Sequence, residues 1–338
     1  MKLFVSLIIL CSLLKGRKVY SQTIGGNAAF NFLNLPASAQ LSALGGTNIS
    51  NQASDVSLAY QNPALLRDSM NSQVATDFNL MYSGIKNYFM AVAYHNKKLY
   101  SNFSLAINFI DYGTNSLTDA AGNISGNFSA FDYFVQISMS GKYKRNWYYG
   151  AAVKFITSSY GQFKSNGIAL DMGLNFLDNS GLWQIGFVAK NMGTQLKSYA
   201  SMKEDIPFDL ELGISKKIAV IPFQFSFTAH HLHQFDIRFN DTLLQNSSSS
   251  PNSLDKVFRH FIFAAQYSIN KVELTVGYNH LRRNELKISS AGNGLNGFSL
   301  GIGAIFSKIQ MHYARAYYQN NSAYNQLGIN FSLRRTDF

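Results

Sequence analysis

Apolar and polar residues alternate along most of this chain. Phe103, Leu105, Ile107 and Phe109 fall on one face of an extended segment, with Ser104, Ala106 and Asn108 on the other. Phe208, Leu210, Leu212 and Ile214 alternate with Asp209, Glu211, Gly213 and Ser215, and Phe223, Phe225 and Phe227 with Gln224, Ser226 and Thr228. The same pattern returns in Val272–Asn279 and Leu327–Arg334. A period of two means strands with one apolar and one polar face. It predicts fourteen strands, near 74–85, 86–97, 99–113, 130–143, 146–158, 165–178, 182–193, 207–218, 223–235, 257–270, 271–283, 296–308, 309–319 and 323–335.

A soluble sandwich would bury the apolar face, whereas a membrane barrel turns it outward. Length favours the barrel, because a tilted strand needs about 9–11 residues to cross a bilayer and globular strands average about 5–6. Fourteen is an even number, as single-chain outer-membrane barrels require. The connections also alternate. Those near Asn96, Arg145, Asn179, Ala219, Asn270 and Ser307 are short; those at 114–129, 159–164, 194–206, 236–256, 284–295 and 320–322 are mostly longer. Short periplasmic turns and long outer loops give that rhythm, and they put both chain ends in the periplasm. Tyr88, Tyr100, Tyr143, Trp147, Tyr148, Tyr149, Tyr160, Trp183, Tyr317 and Tyr318 stand where strands meet turns, the level of an interfacial aromatic girdle. The expected fold is an all-β, 14-stranded antiparallel transmembrane barrel over 74–338.

The N-terminus differs. Met1 and Lys2 precede the apolar run Leu3–Leu14, and Val19-Tyr20-Ser21 offers a cleavage site before Gln22. Residues 1–21 read as a secretory signal peptide; an uncleaved anchor is the other reading. Residues 22–73 mix small residues, Gly45-Gly46 and apolar residues without period two. A plug or hatch folded into the lumen suits them, and an ordered periplasmic arm is the alternative. The stretch Asn246–Ser253, in the 236–256 loop, is polar enough to stay solvated.

Composition narrows the chemistry. Charged residues make up 14% of the chain, and its one cysteine, Cys11, lies in the signal region, so the mature chain has no thiol chemistry. Without the signal, 25 basic residues face 18 acidic ones with no long basic stripe, which argues against nucleic acid. His230-His231-Leu232-His233 is the one concentrated titratable group. His231 and His233 share a strand face, but no third ligand is identifiable by spacing, so no metal is expected. Ser226 with His230 lacks a nucleophile elbow, and Asp205, Asp209 and Glu211 around Pro207 are unremarkable as lumen acids. No enzyme and no cofactor are expected.

The segment Phe30–Ala39, then Ala43-Leu44-Gly45-Gly46 and Ser57–Leu66, resembles the N-terminal signature of the PorQ family of the Bacteroidota type IX secretion system. Asp111-Tyr112-Gly113, Gly126–Ala130, Leu196–Tyr199, Ile206-Pro207-Phe208, Leu212–Lys217 and Ala229–Leu232 agree with it. Asn62-Pro63-Ala64 also resembles the wider FadL-like superfamily of fourteen-stranded barrels with an N-terminal hatch. The PorQ resemblance implies an attachment-complex component of the outer membrane. It would tether a PorZ-like accessory protein, near a sortase-like PorU and a PorV-like barrel, while cargo is joined to lipopolysaccharide. The outer loops would make the contacts, with Asn123, Phe128, Tyr199, Asp236, Leu254 and Arg283 as candidate partner-binding residues. The FadL resemblance implies the alternative, a transporter of hydrophobic small molecules. The final strand puts Leu327, Ile329, Phe331 and Leu333 outward, and Phe338 falls on the opposite parity.

Overall fold

A computed structural model describes residues 28–51, 53–200, 202–237, 253–285, 294–319 and 322–333. The expectations for the signal peptide, both chain ends, Cys11, Phe338 and most of the 236–256 loop lie outside the described residues.

Fourteen antiparallel strands close on one another. They are β1 (Gln73–Leu80), β2 (Lys86–Asn96), β3 (Ser101–Thr118), β4 (Ile124–Tyr143), β5 (Trp147–Tyr160), β6 (Phe163–Leu177) and β7 (Trp183–Lys197), then β8 (Asp209–Lys217), β9 (Phe223–Ala229), β10 (Phe261–Ile269), β11 (Val272–Asn279), β12 (Phe298–Ile305), β13 (Ile309–Gln319) and β14 (Ser322–Ser332). Each strand pairs with its sequence neighbour, and β1 closes the ring onto β14 through Gln73↔Ser332 to Leu80↔Asn325. Closure leaves no sheet edge to meet lipid.

The faces are inverted relative to a soluble protein. Phe78, Leu105, Phe109, Ile137, Phe155, Phe225, Val276, Ile302 and Leu327 are exposed, while Asn102, Asn108, Gln136, Asp171, Gln224, Gln266 and Asn330 are buried. No helix among the described residues is long and apolar enough to cross a membrane. At the short-turn end the exposed ring Trp147 packs on Phe176 at 5.1 Å, and Lys216 sits 4.3 Å over Trp183. Tyr148 leaves the expected girdle, because its ring lies under the Arg67 guanidinium at 5.4 Å.

Several element boundaries differ from the sequence reading: β1 ends at Leu80 instead of 85, β7 runs on to Lys197 instead of 193, β10 begins at Phe261 instead of 257, and three further differences shape the long-loop end. The 114–129 loop is largely strand: β3 and β4 stay paired out to Thr118↔Ile124, since backbone ladders form without apolar alternation. β9 stops at Ala229 instead of 235, because His231 has a left-handed φ of 56°. β11 gives way to a helix, His280–Glu285, in place of strand up to 283. That helix (α3) and a second one at Ser253–Phe258 (α2) stand at the long-loop end.

Residues 28–72 run through the barrel interior. Ala29 N–H donates to Asp205 O at 2.8 Å at the long-loop end, and Leu333 N–H donates to Ser72 O at 2.9 Å at the opposite end. Along the way lies a short helix, α1 (Ala39–Ala43), capped by the Ser38 side chain. Three 3-10 turns follow, at Val56–Leu58, Pro63–Leu65 and Asp68–Met70.

Candidate functional site in the lumen

Inward-facing glycines let this segment lie flat against the wall. A Cβ on Gly150 would strike the Pro63–Ala64 backbone, one on Gly186 the Ile49 carbonyl, and one on Gly277 the Ala43–Gly45 backbone. Gly150 is paired with Gly173 and Gly186 with Gly213, so the small positions form a belt across β5–β8. Only a side chain of hydrogen allows backbone to approach backbone this closely.

Polar wall residues satisfy the segment's free backbone and side-chain groups. Asp77 Oδ1 accepts from Ala39 N–H at 2.7 Å, and Gln326 Nε2 donates to Ala37 O at 2.8 Å. Asn51 Nδ2 donates to Gln266 Oε1 at 2.7 Å, and Ser140 Oγ to Leu66 O at 2.7 Å. Toward the short-turn end, Asp55 accepts from Asn330 Nδ2 at 2.8 Å and faces His312 Nε2 at 3.7 Å. Asn62 caps the 3-10 turn that Pro63 and Ala64 begin. Asn62 Oδ1 accepts from Ala64 N–H at 3.0 Å, and its Nδ2 donates to Ile49 O at 3.0 Å.

Toward the long-loop end the interior turns apolar. Phe32 stacks on Phe134 at 6.4 Å, and Tyr60 stacks on Phe134 at 5.7 Å and meets Phe89 at 5.5 Å. Ile110, Ile156, Leu33 and Phe30 complete a buried cluster. Phe30 lies 6.4 Å from Tyr199, which in turn meets Tyr160 at 5.8 Å. Above it the Tyr112 and Tyr160 hydroxyls both donate to Asp132 Oδ2, at 2.6 and 2.8 Å.

Beside this cluster runs a line of buried charges. Lys154 Nζ is 2.6 Å from Asp171 Oδ2 and donates to Asn191 Oδ1 at 2.8 Å. Lys190 Nζ donates to Glu211 Oε1 at 3.1 Å and to Gln61 Oε1 of the lumen segment at 2.5 Å. A bulge in β7 makes this possible. Register shifts between Leu170 and Met172, Asp171 accepts from Asn191 N–H at 2.8 Å, and Lys190 and Asn191 both end buried. Of these charges the sequence reading singles out only Glu211, as a lumen acid, and it misses Lys154, Asp171 and Lys190. Their meeting needed the bulge, which a sequence does not display.

Strand pairing in the wall is interrupted between β7 and β8. Pairing of β7 with β8 ends at Lys190↔Asp209, while β7 stays paired with β6 up to Lys197. The chain after β7 folds back into this notch. Pro207 O accepts from Asn191 Nδ2 at 2.9 Å, Glu204 N–H donates to Gln195 Oε1 at 2.7 Å, and Ile206 is buried in the apolar cluster. Asp209 opens β8 at the foot of the notch, where His231 N–H donates to its Oδ1 at 2.6 Å. Burial lowers His231 to about 4 and His230 well below its ordinary value. Ser226 faces inward and hydrogen-bonds Ser215 at 3.0 Å, whereas His230 meets His231 and His260, so Ser226 and His230 form no pair.

The candidate partner residues are spread around the long-loop rim. Asn123 caps the β3–β4 hairpin by donating to Asp119, and Phe128 is on strand β4, half-buried and not in a loop. Tyr199 packs inward on Phe30. Asp236 pairs with Lys256 at 2.9 Å beside the exposed Leu254 of α2, and Arg283 is half-buried on α3. The structure joins Asp236 to the neighbourhood of Leu254 and leaves the others apart.

No family model matches the chain, and no curated protein matches it. Solved structures do. A "CymD monoaromatic hydrocarbon channel" is similar at TM-score 0.50 and 12% identity, covering 90% of this chain and 99% of that one. The Pseudomonas putida toluene transporter TodX is similar at TM-score 0.51 and 12% identity, covering 88% of this chain and 96% of that one. A Pseudomonas aeruginosa FadL homologue matches at TM-score 0.43 and 12% identity, covering 83% and 95%. The fold, a closed 14-stranded barrel, is shared with the hydrocarbon channel and the toluene transporter, and the exposed apolar band suits an integral outer-membrane protein.

Proposed function

We propose that this barrel carries hydrophobic small molecules through the outer membrane, with residues 28–72 as its hatch. The observation that carries the reading is the buried apolar cluster that Phe30, Phe32, Leu33 and Tyr60 of the segment form with Phe89, Ile110, Phe134 and Ile156 of the wall. A hydrophobic solute gains free energy by replacing those segment side chains against the wall. It then leaves sideways at the notch where β7 loses β8. The likeness in fold to a monoaromatic hydrocarbon channel and a toluene transporter supports this substrate class. Uptake of labelled toluene by cells expressing the barrel tests it. Uptake is expected to exceed that of vector controls several-fold and to fall to control level in Phe134→Arg protein that still inserts. Equal uptake with and without the barrel would sink the reading.

A second reading has its own support in the β3–β4 hairpin, whose residues 114–118 and 124–127 are exposed on both faces and carry Leu117 and Ile124. Such a projection suits a docking post for the PorZ-like accessory protein implied by the PorQ resemblance, with PorU, a PorV-like barrel and lipopolysaccharide as neighbours. Replacing 117–124 with a two-residue turn is expected to release that protein from the cells. Full retention would remove the hairpin from the account, and deleting 236–256 tests the other long loop in the same way.

A further inference from the structure

We propose that Asp209, His230, His231 and His233 form a binding site for a divalent transition-metal ion at the notch, tying the start of β8 to the chain that leaves β9. The inference is independent of what the barrel transports or tethers.

Asp209, His230 and His231 bring ligand atoms within 4.8 Å of one another, and His233 approaches Asp209 from the same turn. Asp209 is the first residue of β8 and points inward. The three histidines follow Ala229, the last residue of β9, and the left-handed backbone at His231 turns the chain back over Asp209. His231 Nδ1 lies 3.4 Å from Asp209 Oδ2, and His233 Nδ1 lies 3.8 Å from Asp209 Oδ1. The Nδ1 atoms of His230 and His231 face each other more closely than in an ordinary hydrogen bond. Zinc bonds to nitrogen and oxygen of about 2.0–2.1 Å place tetrahedral ligand atoms about 3.3 Å apart. Both gaps to Asp209 therefore already approximate a coordination shell. The His230–His231 gap reaches that spacing with a small ring rotation.

Hydrogen bonding within the protein leaves this cluster incomplete. His233 Nδ1 and His230 Nε2 are buried without a hydrogen-bond partner, and His230 is only 5% exposed. Buried polar nitrogens in that state are costly, and a metal would satisfy the one aimed at Asp209. Lys190 is the nearest cation, and Glu211 at 3.1 Å offsets its charge. His260 holds the His230 carbonyl through Nδ1 at 2.7 Å and so orients the chain without being a ligand. Imidazole with one carboxylate selects zinc, cobalt or nickel over calcium or magnesium. The sequence offered no third ligand by spacing because Asp209 lies 21 residues before His230 and reaches it only through β8–β9 pairing.

The test uses the whole mature barrel, without a polyhistidine tag, refolded in detergent and stripped with EDTA. Zinc chloride is titrated by calorimetry, and retained zinc is measured after desalting. About one zinc per chain is expected. A His230→Ala/His231→Ala double variant, confirmed as folded by its heat-modifiable gel mobility, is expected to bind roughly 100-fold more weakly. Asp209→Asn gives a second readout should the double variant fail to insert, and zinc-edge absorption of the native protein is expected to show imidazole scattering. Zinc that does not bind stoichiometrically, binds the variants as tightly, or shows no imidazole shell would overturn the site.

Discussion

The ammonium of Lys190 on β7 lies 2.5 Å from Oε1 of Gln61 in the lumen segment. Through that one hydrogen bond the buried charges of the wall meet the residue next to Asn62-Pro63-Ala64. Lys190 also holds Glu211 of β8 at 3.1 Å, beside the place where β7 and β8 part. Segment position and wall closure therefore share a single cation.

Breaking that contact should loosen the segment without unfolding the barrel. A hydrogen bond to a charged group contributes about 1.5–3 kcal/mol. Gln61→Ala is expected to raise single-channel conductance in planar bilayers above the native level, with heat-modifiable mobility retained. An unchanged conductance trace would show that Gln61 is not a latch.

Lys154 and Asp171 are nearly inaccessible, at 2% and 0% side-chain exposure, and 2.6 Å apart. Removing one partner of a buried pair costs about 3–5 kcal/mol, because the other charge stays buried alone. Lys154→Met should lower the unfolding free energy of the refolded barrel, measured in urea, by that much, and adding Asp171→Leu should recover most of the loss. No recovery would mean that the pair acts through its neighbours.

Gly186 lies against the Ile49 carbonyl. Gly186→Val leaves no room for that backbone, so the segment near Ile49 must lift from the wall. A Ser50→Cys probe is expected to react with a maleimide several-fold faster in the Gly186→Val protein than alone. Equal reaction rates would show that the belt tolerates a side chain.

Val276, mid-strand in β11, is exposed, while its neighbour Thr275 is buried on the lumen side. Arginine on the lipid face costs about 2–4 kcal/mol near the bilayer midplane. Val276→Arg should therefore destabilise the barrel in vesicles by that amount and cost far less in detergent. Equal losses in both would contradict a lipid-facing Val276.

Asp255 of α2 receives Arg259 Nε at 2.9 Å and His280 Nε2 at 3.3 Å. Burial raises its carboxyl, but the hydrogen bonds from Arg259 and His280 outweigh this and hold it below the ordinary value. A carboxyl lowered in the folded state stabilises fully above its unfolded value of about 3.9, and that contribution is lost as pH falls through the folded value. Amide protection over 254–259 should be flat from neutral pH to about 5 and decline below about 4. Asp255→Asn should abolish the step.

Alternation made the barrel legible. Fourteen strands, their order and their lipid-facing residues follow from period two, because lipid and lumen demand opposite polarity of successive side chains. The rim was harder to read. Thr114–Thr118 and Ile124–Ser129 look like loop because they lack apolar residues at every second position, yet they pair, since the backbone ladder is indifferent to side-chain polarity.

What the sequence determined by itself is therefore the face each wall residue presents, set by a repeat that operates over neighbouring residues. Tertiary structure decided which inward residues meet. Lys154, Asp171, Lys190, Glu211 and Gln61 come from five separate segments, and their register depends on one bulged residue in β7. The gathering of Asp209 with His231 depends likewise on where β8 pairing stops and where a single left-handed residue turns the chain. A one-residue bulge puts two successive side chains on one face and changes which residues meet across strands. Such a choice is fixed by the packing of the whole ring and is invisible in any local stretch of sequence.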